Sequence, residues 1–328
     1  MDNNLAASGP ARHEQASLFD LLEEARDEES PTVPTPADAW DHDATKRALD
    51  ELFSLTAQYR TSKAYHDLIQ FVSRFRFYSP FNAMLIHVQM PGARFVAPPH
   101  RWLRDYGRRI KPGARPLVIL QPMGPVMFVF DVSETELDSS LEGPFRPLPP
   151  EVEKPFEVRK GKLHNQLPRA VENAKRDGVA VHTARLGSQQ GGSIRPARAP
   201  GKTVIFGEQR LPVRYELELD EAASQESRYA ALAHELAHLY CGHLGTPSDK
   251  WWPDRRGLER QAEELEAESV AYMVCARLGI DNPSEQYLAG YVGRQSEVAP
   301  ISLACVMKST GLIESMGREK LKPRKGKP

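Results

Sequence analysis

The sequence predicts an α+β protein in two domains, and three patterns predict it. Helical stripes of apolar residues lead from about residue 43 to 89 into two short apolar runs within 117–132. A proline-rich break follows. Beyond it, strand-like runs lead into two long helical segments. At 328 residues, 40 % hydrophobic and 27 % charged, the chain is long enough for two ordinary cores and reads as soluble and globular.

Each element has its own reason. Residues 1–40 are rich in proline, alanine and acid, and read as a disordered acidic tail. The domain over 41–136 opens with Ala48, Leu52, Leu55 and Tyr59 on one helical stripe. A second stripe follows in "YHDLIQFVSRF" with Leu68, Phe71, Val72 and Phe75. The next helix, "SPFNAMLIHVQ", has Ser79 placed as N-cap and Pro80 at the first helical position. Runs over 117–121 and 126–132 read as buried strands joined by "PMGP". Residues 137–160 read as a linker, with five prolines in 137–157.

The second domain, 161–315, begins with a helix near 163–177 and a strand over 178–184. A glycine-rich turn, "GSQQGGS", and the strands "KTVIFG" and "VRYELEL" come next. The long helix carrying "HELAH" and a second one, "LERQAEELEAESVAYMVCARLG", follow. Residues 316–328 form a basic tail.

No run approaches 18 apolar residues, so neither a membrane span nor a membrane partner is expected. The N-terminus shows no secretory pattern, and three scattered cysteines fit a reducing compartment, so a cytoplasmic location is expected. The net charge of −1 conceals patches: residues 94–115 hold seven Lys or Arg against Asp105 alone.

"HELAH" spans 234–238. On a helix His234 and His238 lie one turn apart and can share a tetrahedral Zn2+ ion. Glu235 then stands beside the metal, where it can take a proton from water as general base. A third ligand is needed, and the next helix offers Glu264, with Glu263 as its competitor. Glu268, four residues on from Glu264, can orient a ligand histidine from behind. His243 misses the spacing of three-histidine sites and is expected at the surface or as a cap; Cys241 is expected to be a buried structural thiol. If "VRYELEL" lies at a sheet edge, it can hold an extended peptide by strand addition. Tyr272, Tyr287 and Tyr291 are the candidates for stabilising an oxyanion.

The first domain interleaves cations with aromatics in "RFRFYSPFN" and "RFVAPPHRWLRDYGRRIKPGAR". Such side chains can neutralise phosphates and stack on unpaired bases. Equally, the aromatics can face a core while the arginines stand in water. The candidate contacts are Arg74, Arg76, Tyr78, Asn82, Trp102, Arg108, Arg109 and Lys111.

The stretch "RFYSPFNAMLIHVQMPGARFVAPPHRWLRDYGRRIKPGARPLVIL", with the later "VFDVSET", resembles the N-terminal domain of ArdC-type antirestriction proteins. The shared positions include Tyr78, Ser79, Asn82, Gln89, Trp102, Gly107, Arg108, Lys111, Asp131, Ser133 and Thr135. That resemblance implies a domain that binds single-stranded DNA. The second half is similar to the family's zincin-like metallopeptidase domain, itself related to ImmA/IrrE-type regulatory proteases. It implies zinc as cofactor, Glu264 as third ligand through "ELEAE", and a protein or peptide substrate. Ser269 departs from the family pattern, which has an apolar residue there. The alternatives are a non-catalytic single-stranded-DNA-binding protein with structural zinc, and an ImmA/IrrE-like protease that cleaves a repressor.

Overall fold

The computed structural model describes residues 59, 61–121, 124–141, 143–149, 152, 161–186, 191–198, 201–280, 288 and 299–324. The acidic 1–40 segment, the stripe of Ala48, Leu52 and Leu55, and Tyr287 and Tyr291 lie outside the described residues. The described part is mixed α and β. Its first half runs α1 (Ser62–Arg74), α2 (Pro80–Gln89), β1 (Val96–Ala97), α3 (Pro99–Tyr106), β2 (Arg108–Ile110), β3 (Leu117–Gln121), β4 (Gly124–Asp131) and β5 (Thr135–Leu137). Its second half runs α4 (Gln166–Ala174), β6 (Val179–Ala184), β7 (Gly192–Pro196), β8 (Thr203–Phe206), β9 (Gln209–Pro212), β10 (Tyr215–Asp220), α5 (Gln225–Tyr240), α6 (Arg260–Leu278) and α7 (Leu303–Arg318). No helix among the described residues is long and apolar enough to cross a membrane.

Local chemistry sets the helix starts. Thr61 caps α1 by accepting from the Ala64 N–H, and Tyr65, Leu68, Ile69 and Val72 form its buried i, i+3, i+4, i+7 stripe. In α2, Ser79 Oγ accepts from the Asn82 N–H at 3.3 Å and Pro80 occupies the first turn.

The first sheet has the order β1-β4-β3, antiparallel throughout, which leaves one side of β3 without a strand partner among the described residues. Two amides from α2, seven residues apart on one helix face, cover that side. Asn82 Nδ2 donates to the Leu120 carbonyl at 3.0 Å while its Oδ1 accepts from the Leu120 N–H at 2.9 Å. Gln89 makes the same pair of bonds to Val118, at 2.9 and 2.8 Å. The helix thereby satisfies alternate backbone groups that a neighbouring strand would otherwise satisfy.

The second sheet has the order β6-β10-β7, with β10 parallel to β6 and antiparallel to β7. The "VRYELEL" strand therefore sits in the middle, so the edge position on which its holding a peptide depended is not met. Among the described residues β6 and β7 are the edges of this sheet, and β7 packs against α5.

The apolar core does not divide at the proline-rich stretch. One buried cluster joins Leu68, Ile86 and Val129 of the first half to Leu217, Leu236, Val274 and Met316 of the second. Helix α6 is its axis, packed against α1, α5 and α7. A smaller cluster gathers Phe95, Trp102, Tyr106, Val132 and Val152. The expected linker is accordingly tied down at several points. Leu137 belongs to β5, the Arg146 N–H donates to the Asp105 carbonyl at 2.8 Å, and Val152 is buried beside the Trp102 cluster. Prolines forbid regular hydrogen bonding here but not packing. The expected basic tail likewise begins inside α7, and Arg324 beyond it pairs with buried Asp177 at 2.7 Å.

Candidate metal centre

Helix α5 starts at Ser224, whose Oγ accepts from the Ser227 N–H at 3.1 Å. Tyr229, Leu232, Ala233, Leu236 and Leu239 anchor its buried face, leaving His234, Glu235 and His238 half-buried beside it. The turn after the helix requires Gly242. Its φ is 86°, and a Cβ there would lie 2.1 Å from the Pro253 carbonyl oxygen.

His234 Nε2 and His238 Nε2 are 3.2 Å apart. Glu264 Oε2, reaching across from α6, lies 3.5 Å from the first and 3.8 Å from the second. An ion bound tetrahedrally at the usual lengths separates its donors by about 3.3 Å. The three side chains fit that requirement and could hold a metal ion. Glu264 meets both histidines, whereas its neighbour Glu263, about 100° further round the helix, is not in the group. Behind His234, Glu268 Oε1 faces Nδ1 at 3.6 Å.

The electrostatics favour a cation at this point. Burial disfavours a charge on His234, but hydrogen bonds to Glu264 and Glu268 outweigh it and push its pKa up to about 10. His238, buried and facing the His234 charge, moves downward. The hydrogen bond to His234 holds the Glu264 carboxyl below its ordinary value. A bound metal would take the place of the proton that His234 otherwise keeps.

Glu235 is moved upward by burial, with His234 opposing and Glu264 reinforcing. The Ile194 backbone, on edge strand β7, hydrogen-bonds its carboxylate. Gly192 on the same strand leaves the room: a Cβ there would stand 3.2 Å from Glu235 Cγ. The Glu235 carboxyl thus lies beside strand β7, on the helix that carries His234 and His238.

His243 is not at the surface. It is 7 % exposed, with Nδ1 2.9 Å from His238 Nδ1 and Nε2 2.9 Å from Glu266 Oε2. Glu266 is fully buried and receives both arms of Arg255, at 2.6 and 2.7 Å, and the Ser302 N–H at 2.6 Å. The sequence reading missed both Glu266 and Arg255. The signal was available in α6: Ala262, Leu265, Glu266 and Ser269 follow the buried i, i+3, i+4, i+7 spacing. Cys241 is buried as expected, its Sγ 3.3 Å from Ser309 Oγ, and burial lifts its thiol well above the ordinary range.

The expected DNA contacts are scattered in role. Trp102 is corrected to a core residue: it is fully buried and its indole N–H donates to the Phe130 carbonyl at 2.9 Å, so no ring face is free to stack. Asn82 is likewise committed to Leu120, as above. Tyr78 is half-buried; its hydroxyl donates to the Val96 carbonyl at 3.2 Å, and burial pushes its pKa up to about 12. Arg76 donates to the Ala276 carbonyl at 3.0 Å, and Arg74 to the Gln70 carbonyl at 3.2 Å. Arg108 grips Thr135 through Oγ1 at 2.7 Å and the carbonyl at 3.0 Å. Lys111 reaches the Ser133 carbonyl at 2.7 Å, and Arg109 pairs with Glu136 at 2.8 Å while 60 % exposed. Arg109 and Lys111 stand at the surface.

Compared with models of known protein families, with curated proteins and with solved structures, the chain matches none.

Proposed function

We propose that this protein is a zinc-dependent peptidase with an attached unit that binds single-stranded DNA, in the manner the resemblance to ArdC-type antirestriction proteins implies. The single observation behind the catalytic half is the position of Glu235, next to His234 on α5 and against strand β7 at Ile194 and Gly192. His234, His238 and Glu264 would hold the zinc, and Glu268 would orient His234. When bound, zinc supplies Lewis acidity and lowers the pKa of water. A substrate peptide laid along β7 brings its carbonyl carbon next to Glu235. Glu235 takes a proton from the attacking water and later gives it to the departing amine.

The DNA half is supported by the surface charge of Arg104, Arg109 and Lys111 and by the exposed rings of Phe77 and Phe128. A binding protein with purely structural zinc has no use for a carboxylate at Glu235.

The test is metal content together with cleavage of a mixed peptide library by the full chain. The wild-type protein is expected to carry one zinc and to cleave; Glu235→Gln is expected to keep the zinc and lose at least ~100-fold in rate. Equal cleavage by both proteins overturns the role of Glu235. Stoichiometric zinc without cleavage by either leaves only the binding reading.

A further inference from the structure

Cys241, His243 and Glu266 bring their ligand atoms within 4.8 Å of one another and make a second, fully buried group with metal-ligating chemistry. A cation already occupies it: the guanidinium of Arg255 is bidentate on Glu266, at 2.6 and 2.7 Å, and also donates to the Cys241 carbonyl at 3.1 Å. Another contact of the group points out of it, from His243 toward His238.

We propose that His243 is the positioning residue for His238, and that Glu266 and Arg255 fix the direction of the hydrogen bond that does it. This rests on the metal-centre reading above and adds to it the means by which one ligand is held.

The argument is a count of protons along a chain of four side chains. His238 turns Nε2 toward His234 and Glu264, so that nitrogen's lone pair is the one it would offer a metal ion. The ring proton then sits on Nδ1. At 2.9 Å from that atom stands His243 Nδ1, which must accept. His243 consequently carries its own proton on Nε2 and donates to Glu266 Oε2, also at 2.9 Å. Glu266 can only accept at this end of the chain, because its two oxygens already take both arms of Arg255, at 2.6 and 2.7 Å, and the Ser302 N–H at 2.6 Å.

Every donor in the chain has one acceptor, and the order cannot be reversed without placing two protons between the rings of His238 and His243. The two ligand histidines are thus backed differently: His234 by a half-exposed carboxylate at 3.6 Å, His238 by an imidazole inside the core. Groups that back a metal ligand in this way commonly change metal affinity 10–100-fold when removed.

Two amide substitutions separate this role from packing. An asparagine side-chain oxygen lies about where Nδ1 of histidine lies, so His243→Asn can still accept from His238 and loses the bond to Glu266. The longer amide of His243→Gln reaches Glu266 and leaves His238 without its acceptor.

The experiment measures zinc affinity of the full chain by competition with a chromophoric chelator, and the visible absorption of the Co2+-loaded protein. Thermal melting of each metal-free variant establishes that it is folded. The expected result is a zinc Kd within about threefold of wild type for His243→Asn. For His243→Gln it is a Kd raised about 10–100-fold, with altered cobalt bands. Equal affinities for the two variants, or tighter binding by the glutamine, overturn the positioning role while leaving the metal centre intact. A wild-type protein that binds no stoichiometric zinc or cobalt removes the metal reading and this inference with it.

Discussion

Tyr65 and Ser269, 204 residues apart in sequence, are joined by a buried hydrogen bond of 2.8 Å from the phenol to the serine oxygen. Ser269 passes the chain on, donating to the Leu265 carbonyl at 2.6 Å within α6, where Leu265 directly follows Glu264 and Ser269 directly follows Glu268. Ser269 therefore ties α1 to the helix that bears Glu264.

A double-mutant cycle measures this tie. Tyr65→Phe and Ser269→Ala should each cost about 1–2 kcal/mol in urea unfolding, and the pair should cost less than the sum by about 1 kcal/mol. Strict additivity would show that the two halves gain nothing from the contact.

Arg277 makes a second tie, at the other end of α6. Its Nη1 donates to the carbonyls of Val72 and Phe75, at 2.7 and 3.0 Å, and its Nη2 to that of Tyr78 at 2.8 Å. These carbonyls lie at and just beyond the C-terminus of α1, where helical partners run out. Nε pairs with Glu314 at 2.5 Å. Arg277→Met should cost about 3–5 kcal/mol, since it strands carbonyls and a buried carboxyl together. Arg277→Lys should recover little, because one ammonium cannot reproduce the planar fork. A loss below ~1 kcal/mol in denaturant titration for the methionine variant contradicts this account.

How legible all this was depended on the kind of signal. Ser79 with Pro80, and the strand over 117–121, were readable because caps and apolar runs are local. His234, Glu235 and His238 were readable because helical spacing alone sets them side by side. Glu264 stands on the next helix, where only the packing of α6 against α5 tells it from Glu263. The undivided core was not readable: the prolines in 137–157 look like a boundary, while the contacts that cross it, such as Tyr65 to Ser269, connect single residues far apart. His243 was misjudged for the same reason, its partner Glu266 being an acid on the buried side of a helix full of acids. Asn82 and Trp102 illustrate a different limit. A motif says that a residue matters, and the backbone of β3 and the Phe130 carbonyl say why.

His87 supplies a pH prediction. It is buried on α2 between Phe71 and Tyr59, with ring centroids at 4.7 and 5.7 Å, beside a cavity of about 540 Å³ that Asp67 and Arg74 also line. Burial lowers its pKa to about 4, with Asp67 opposing and Arg74 assisting. Unfolded, the same ring takes up a proton near pH 6.5. Between these values the unfolded chain binds more protons, so this contribution to stability is lost as pH falls through about 6.5 and levels off near 4. Above pH 7 it changes nothing. The slope is at most ~1.4 kcal/mol per pH unit, less where water in the cavity screens the charge. His87→Leu should therefore lose less stability than wild type between pH 7.5 and 5.0 in urea titrations; equal losses remove His87 from the acid sensitivity.

The DNA-binding proposal turns on separating surface charge from structural charge. Arg108 is bonded twice to Thr135 and so helps hold β2 to β5, whereas Arg109 and Lys111 make single contacts and stand exposed. If the latter two neutralise phosphates, Arg109→Ala with Lys111→Ala should weaken binding to single-stranded oligonucleotides of any sequence. The log–log salt slope should fall by about 1.4, or ~0.7 per contact on a single strand. Thermal stability should stay within about 1 kcal/mol of wild type, because exposed pairs such as Arg109 with Glu136 contribute little. Arg108→Ala should behave in the opposite way, lowering stability as its bonds to Thr135 are lost. Fluorescence anisotropy across a salt series, with melting curves for each variant, tells the two apart. An unchanged slope in the double variant would falsify the assignment of this surface to DNA.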